Sequence, residues 1–269
     1  GDASSGEDFL GSWLQGFEAP ASSYVHLSWH LALFEMAQGK YQETLDRYEK
    51  YIRPSVIANS MAALNDSASL MWRLQIYGGA PPPKPWDEVS KIAASAANGP
   101  GAAFRDAHAA LAFAGSGDYE SMGQMANRLQ NAAERGDSFA REVILPLIQG
   151  LEAFAKENYT EAARLMEPVF PQLVRIGGSH AQREVFEDTM LEAYIRAEQF
   201  EKAEAMLYGR LNQRESVRDT FWLGRVQSGQ GRSAEASSSF RHVAQGWRAA
   251  DSGTPEISAL NKQRAAVAQ

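Results

Sequence analysis

The chain reads as an all-α protein assembled from repeated helical hairpins. Three observations carry that reading. Apolar residues recur at helical spacing, as in Leu27, Leu31 and Phe34 and again in Phe186, Met190, Ala193 and Ala197. No stretch shows sustained apolar–polar alternation bounded by hairpin turns, so a sheet has little support. A short unit, a turn followed by an aromatic and an alanine-bearing helix, returns along the chain.

Taken in order, the first helix is expected at about Gly6–Glu18, within residues 1–18. Phe9, Leu10, Trp13, Leu14 and Phe17 give it a wide apolar stripe. Such a stripe needs a partner, and a terminal repeat should present a polar outer face. The segment therefore reads as the orphan second helix of a preceding repeat. Either upstream repeats are missing, or this face docks on another subunit. The hairpins that follow turn at Gln38-Gly39-Lys40-Tyr41, at Pro85-Trp86-Asp87, at Gly117-Asp118-Tyr119, at Glu157-Asn158-Tyr159, at Glu198-Gln199-Phe200 and, in degraded form, at Gly231-Arg232-Ser233. The third hairpin opens with the Ala-rich Ala102–Ala114, where alanine favours helix because it loses no side-chain entropy. Breakers lie between periodic segments at Gly78–Pro83, Asn98–Gly101 and Gly177-Gly178. A last helix at about Pro255–Val267 would cap the stack over residues 255–269.

The marker residues Tyr41, Trp86, Tyr119, Tyr159, Phe200 and Ser233 are separated by 33 to 45 residues. Gly or Asn would end each first helix in a left-handed conformation, the aromatic would wedge against the turn, and a small Ala would let the helices approach. Periods near 34 residues mark tetratricopeptide repeats. The expectation is one tetratricopeptide-like α-α superhelix over residues 1–269, with about six hairpins and terminal helices. If the chain forms two domains instead, the proline loop Pro81–Pro85 is the best boundary.

Composition excludes several functions. There are 26 basic and 33 acidic side chains, a net charge of −7, and no cysteine. A disulfide framework, a thiol nucleophile and a thiolate zinc site are ruled out. The acidic balance and scattered basic residues argue against nucleic acid as a partner. The longest apolar run, Val143 to Ile148, is far short of a membrane span, so a cytoplasmic protein is expected. Gly1 begins no signal-peptide pattern, and the missing initiator Met suggests a processed or truncated start. Abundant Ala, Gly and Arg fit a GC-rich bacterial source.

Four segments are more specific than the period. They are His26-Leu27-Ser28-Trp29-His30-Leu31-Ala32-Leu33-Phe34, Asp66–Leu74, Phe104–Leu111 and Gly177–Glu184, in that order. Together, over about Gly6 to Arg241, they resemble the tetratricopeptide repeat protein 38 family. The resemblance implies a helical-repeat fold and a longer chain with further helices upstream. It implies no established activity.

Four of the five histidines, His26, His30, His108 and His180, fall in segments assigned to first helices of hairpins. First helices line the concave surface of a tetratricopeptide superhelix. Arg73, Arg105, Asp106, Gln182 and Arg183 occur on the same class of helix. If these faces converge, the groove suits a carboxylate- or phosphate-bearing ligand or an acidic peptide tail. The competing reading is that these side chains tie neighbouring hairpins together. His26 and His30, four residues apart, could share a metal, but Leu27 stands where a metalloprotease needs Glu, and neither metal nor cofactor is expected. Ser179 and Gln182 fit a capping box, whose helix start could also hold an anion. No nucleophile elbow appears. The function expected is a protein or peptide scaffold binding through His26, His30, Arg73, Asp106, His108, His180, Gln182 and Arg183. The alternative is an enzyme or small-anion receptor using the same cluster, and self-association through the first helix is a third option.

Overall fold

The computed structural model describes residues 2–16, 22–78, 83–99, 101–254 and 256–261. Among these residues all regular structure is helical, and no strand occurs. The helices are α1 (Ala3–Leu14), α2 (Ser22–Ala37), α3 (Tyr41–Arg47), α4 (Arg53–Ile57), α5 (Ala62–Ile76), α6 (Pro83–Asn98) and α7 (Ala103–Ser116). After them come α8 (Tyr119–Glu134), α9 (Leu145–Ala155), α10 (Tyr159–Met166), α11 (His180–Arg196), α12 (Phe200–Leu211), α13 (Val217–Gly229) and α14 (Ser233–Gly246). Two π-helical turns, Tyr48–Ile52 and Ala140–Ile144, and a 3-10 segment, Phe170–Ile176, extend them. No described helix is long and apolar enough to cross a membrane. Parts of the expected first helix, the proline loop and the capping helix (17–18, 81–82, 255 and 262–269) lie outside the described residues.

Five hairpin turns share one backbone. The residue two before each marker is left-handed: Gly39, Gly117, Glu157, Glu198 and Gly231 have φ of 73°, 73°, 61°, 56° and 76°. The residue between them, Lys40, Asp118, Asn158, Gln199 or Arg232, has φ of −78° to −88° and ψ of 58° to 71°. Four of these turns close by the same bond across the helix end. Lys40, Asp118, Asn158 and Arg232 N–H donate to the carbonyls of Glu35, Phe113, Ala153 and Gln227 at 3.0, 2.9, 2.9 and 2.8 Å. Gly or Asn was the expectation for the left-handed position, and two of the five hold Glu instead. An L residue there costs about 1–2 kcal/mol, so the rest of the turn imposes the conformation. The Trp86 copy departs too, because α6 begins at Pro83 and places Trp86 one turn inside the helix.

The marker aromatics lock successive hairpins in register. Trp86 packs on Gly115, Tyr119 OH donates to Ala155 O at 3.4 Å, Arg196 Nη1 donates to Tyr159 OH at 2.8 Å, and Phe200 packs on Gly229. Every receiver lies two residues before a left-handed position. A side chain on Gly115 or Gly229 would run into an aromatic ring, so glycine is what admits the wedge.

By packing, the helices fall into two compact units. The second unit comprises Arg53–Ile76 and Pro81–Ala197. There the first helices of four hairpins form a closed set: α5 packs on α7, α7 on α9, α9 on α11, and α11 on α5. Trp72 sits fully buried among them. Its indole N–H donates to Thr189 Oγ1 at 2.8 Å, and its ring meets Trp86 and Phe154 at 6.4 and 5.8 Å between centroids. The first unit, which holds the start of α1, comprises Gly1–Ile52, Tyr77–Ala80 and Glu198–Gln269. In it α1 lies on α2, α12 on α13 and α13 on α14. The apolar stripe of α1 divides: Leu14 is buried, whereas Phe9 and Trp13 are 76% and 49% exposed. Within this unit the early and late parts of the chain meet, since Trp247 Nε1 donates to Ala37 O at 2.8 Å and Asp251 N–H to Gly39 O at 3.1 Å.

Candidate functional site

The eight residues singled out in the sequence separate into four settings. His26 and His30 lie on α2 in the first unit, both half-buried. Their spacing of four puts the rings on one face. His26 stacks on Trp29 at 5.3 Å, while His30 meets both His26 and Trp29 edge-on at 4.7 Å. The three rings form an aromatic stack around a fully buried indole.

Arg73, His108 and the start of α11 come together in the second unit. Arg73 is buried on α5. Its guanidinium donates to Ala181 O at 2.6 Å and to Ser69 Oγ at 3.1 Å, and faces the buried Asp188 carboxylate at 3.7 Å. His108 is buried on α7, with Nδ1 at 2.8 Å from Phe104 O, which makes that nitrogen the protonated one. Its ring lies against Phe104 and Phe186 at 4.3 and 5.3 Å. Burial pushes the imidazole from 6.5 down to about 4, against the backbone hydrogen bond to Phe104 and with help from the nearby Arg73 charge. His108 is therefore neutral at pH 7. These residues fasten the start of α11 to α5 and α7.

Asp106 precedes His108 by two residues and points elsewhere. Its Oδ2 accepts from Arg128 Nη2 of α8 at 2.8 Å, and Arg105 Nη2 lies 3.7 Å from its Oδ1. Burial raises its pKa, opposed by the Arg128 hydrogen bond.

His180, Gln182 and Arg183 occupy the first turn of α11. The capping box is formed: Gln182 N–H donates to Ser179 Oγ at 3.3 Å, and Ser179 N–H donates to Gln182 Oε1 at 2.9 Å. Arg183 Nη1 donates to the carbonyls of Gly177 and Gly178, closing the loop before the helix. His180 is 61% exposed, with Nε2 at 3.9 Å from Glu187. Of the eight residues, this imidazole is the most open to solvent.

Sequence reasoning missed a second polar centre in the first unit. Arg218 of α13 is buried, donates to Glu256 Oε1 at 2.6 Å and to Tyr41 OH at 2.5 Å, and lies 3.7 Å from the Tyr77 ring centroid. Trp222 and Trp247 complete the enclosure, and Tyr41 OH also bonds Glu256. Burial disfavours its charge, yet Tyr41, Glu256 and Tyr77 outweigh that and raise the Arg218 pKa. An arginine one residue into a helix that continues Phe221-Trp222 was the available signal.

The fold and these settings define an all-α protein of helical-repeat architecture. No protein-family model matches the chain, and no solved structure does.

Proposed function

We propose that the chain is a tetratricopeptide-like helical-repeat scaffold that binds a protein or peptide segment. The observation that supports this reading is the common backbone of five hairpin turns, with left-handed residues two places before Tyr41, Tyr119, Tyr159, Phe200 and Ser233. A repeated turn of that kind builds extended surfaces from small per-repeat rotations. The polar residues fit binding and architecture better than catalysis: Arg73, Asp106 and His108 are buried and bonded within the fold. The first turn of α11 is the surface proposed for contact, through His180, Gln182 and Arg183. Replacing His180 and Arg183 together by alanine, and measuring affinity for partners recovered by pull-down, tests the assignment. The expected outcome is lost binding with the unfolding temperature little changed. Unchanged affinity in a folded variant removes this surface from the proposal. The same turn, with its backbone N–H groups and His180, also supports the small-carboxylate alternative. A saturable shift of the His180 imidazole resonances on adding acetate, without any peptide partner, would favour that alternative.

A further inference from the structure

Glu7 of α1, Glu35 of α2 and Glu43 of α3 each place a carboxylate oxygen within 4.8 Å of the other two. Proximity of acids alone would mean little, but Glu35 adds a second observation. Its side chain is 2% exposed, and its Oε2 has no hydrogen-bond partner. The other oxygen, Oε1, accepts from Arg47 Nε and Nη2 at 2.8 and 2.6 Å. A buried carboxylate oxygen without a donor is costly unless something positive meets it. Lys40 does not, because its ammonium is on Glu7 Oε2 at 2.7 Å, where Gln38 Nε2 also donates.

We propose that Glu7, Glu35 and Glu43 form a binding site for a hard divalent cation of the calcium type, which ties α1 to the α2–α3 hairpin. Three oxygen donors and no nitrogen or sulfur donor select Ca2+, Mg2+ or Mn2+ over zinc or copper. Oxygens bound at about 2.3–2.6 Å around one calcium ion can stand as far apart as these do. The carboxylates carry three negative charges against two positive charges on Lys40 and Arg47, so one remains uncompensated. A proton shared between carboxyls would also relieve Oε2, and Glu35→Gln tells the two apart. Lys40 is the competitor, a flexible ammonium that the incoming cation moves off Glu7.

The test uses the whole chain, stripped with a chelator and titrated with Ca2+ by calorimetry and with Mn2+ by electron paramagnetic resonance. One saturable site per chain is expected, with the unfolding temperature rising as Ca2+ is added. Glu43→Gln, at the exposed edge where folding is not at risk, should weaken binding roughly tenfold or more. Lys40→Gln should strengthen it, a sign opposite to that expected of an ordinary surface ion-pair network. Absence of saturable binding through the millimolar range overturns the proposal, as does binding that Glu43→Gln leaves unchanged. A Glu35→Gln chain that is more stable than the parent, where the parent ignores Ca2+, assigns the orphan oxygen to a proton and also overturns it.

Discussion

Arg73 and His108 are polar side chains on helical faces that the repeat pattern would send toward a groove, and both are spent inside the second unit. The reason is local. Arg73 has the Ala181 carbonyl, the Ser69 hydroxyl and the Asp188 carboxylate within reach, and a buried guanidinium persists only with such partners. His108 takes the other course and gives up its charge. Since its pKa falls to about 4 on folding, the unfolded chain binds the proton more readily. Its contribution is full above the unfolded value of about 6.5 and is lost as pH falls from there to about 4. That loss amounts to about 3 kcal/mol. Chemical denaturation from pH 7.5 to 4, compared between the parent and His108→Gln, isolates it: the parent should lose roughly that much more stability. Parallel curves would mean that the imidazole is solvated in the native state.

At the scale of elements, much was legible. The turns at Gly39, Gly117 and Gly231 were readable because glycine and a following aromatic or serine report a backbone requirement directly. Those at Glu157 and Glu198 were legible only by register, since nothing about glutamate signals a left-handed residue. They invite a test. Glu157→Gly and Glu198→Gly should each raise stability by about 0.5–1 kcal/mol, the left-handed strain removed exceeding the extra entropy of the unfolded glycine. Thermal unfolding of the single variants and the pair reads this, and a lowered midpoint would show that the glutamate side chains contribute more than their backbones lose. The capping box before α11 was equally legible, because Ser179 and Gln182 bond only across three residues. What stayed hidden was the fate of the polar faces. Helical periodicity places Arg73, His108 and His180 on first helices, but only the return of α11 onto α5 decides that the first two are interior and the third exposed.

For the molecule as a chain, the first unit draws on residues near both ends of the sequence, and the Arg218 enclosure holds them together. Tyr41, Arg218 and Glu256 belong to three distant segments, yet each has the other two as hydrogen-bond partners. Closing loops of that length is entropically unfavourable but only logarithmically so, and a few well-desolvated contacts offset it. Trp247, reaching Ala37 O at 2.8 Å, and Asp251, accepting from Gln42 N–H at 2.8 Å, run alongside. Removing one member of the buried pair should therefore loosen α2–α3 as much as the C-terminal segment. Arg218→Met leaves the Glu256 carboxylate buried against Tyr41, with an expected loss of about 3–5 kcal/mol. Adding Glu256→Leu removes the stranded charge and should recover most of that loss, since apolar replacement of a whole buried pair is often neutral or better. Hydrogen exchange gives the readout: amides of α3 should exchange faster in Arg218→Met and slow again in the double variant. If α3 stays protected while only residues after Gly246 exchange, the clasp is confined to the C-terminal segment, and the N-terminal hairpin stands without it.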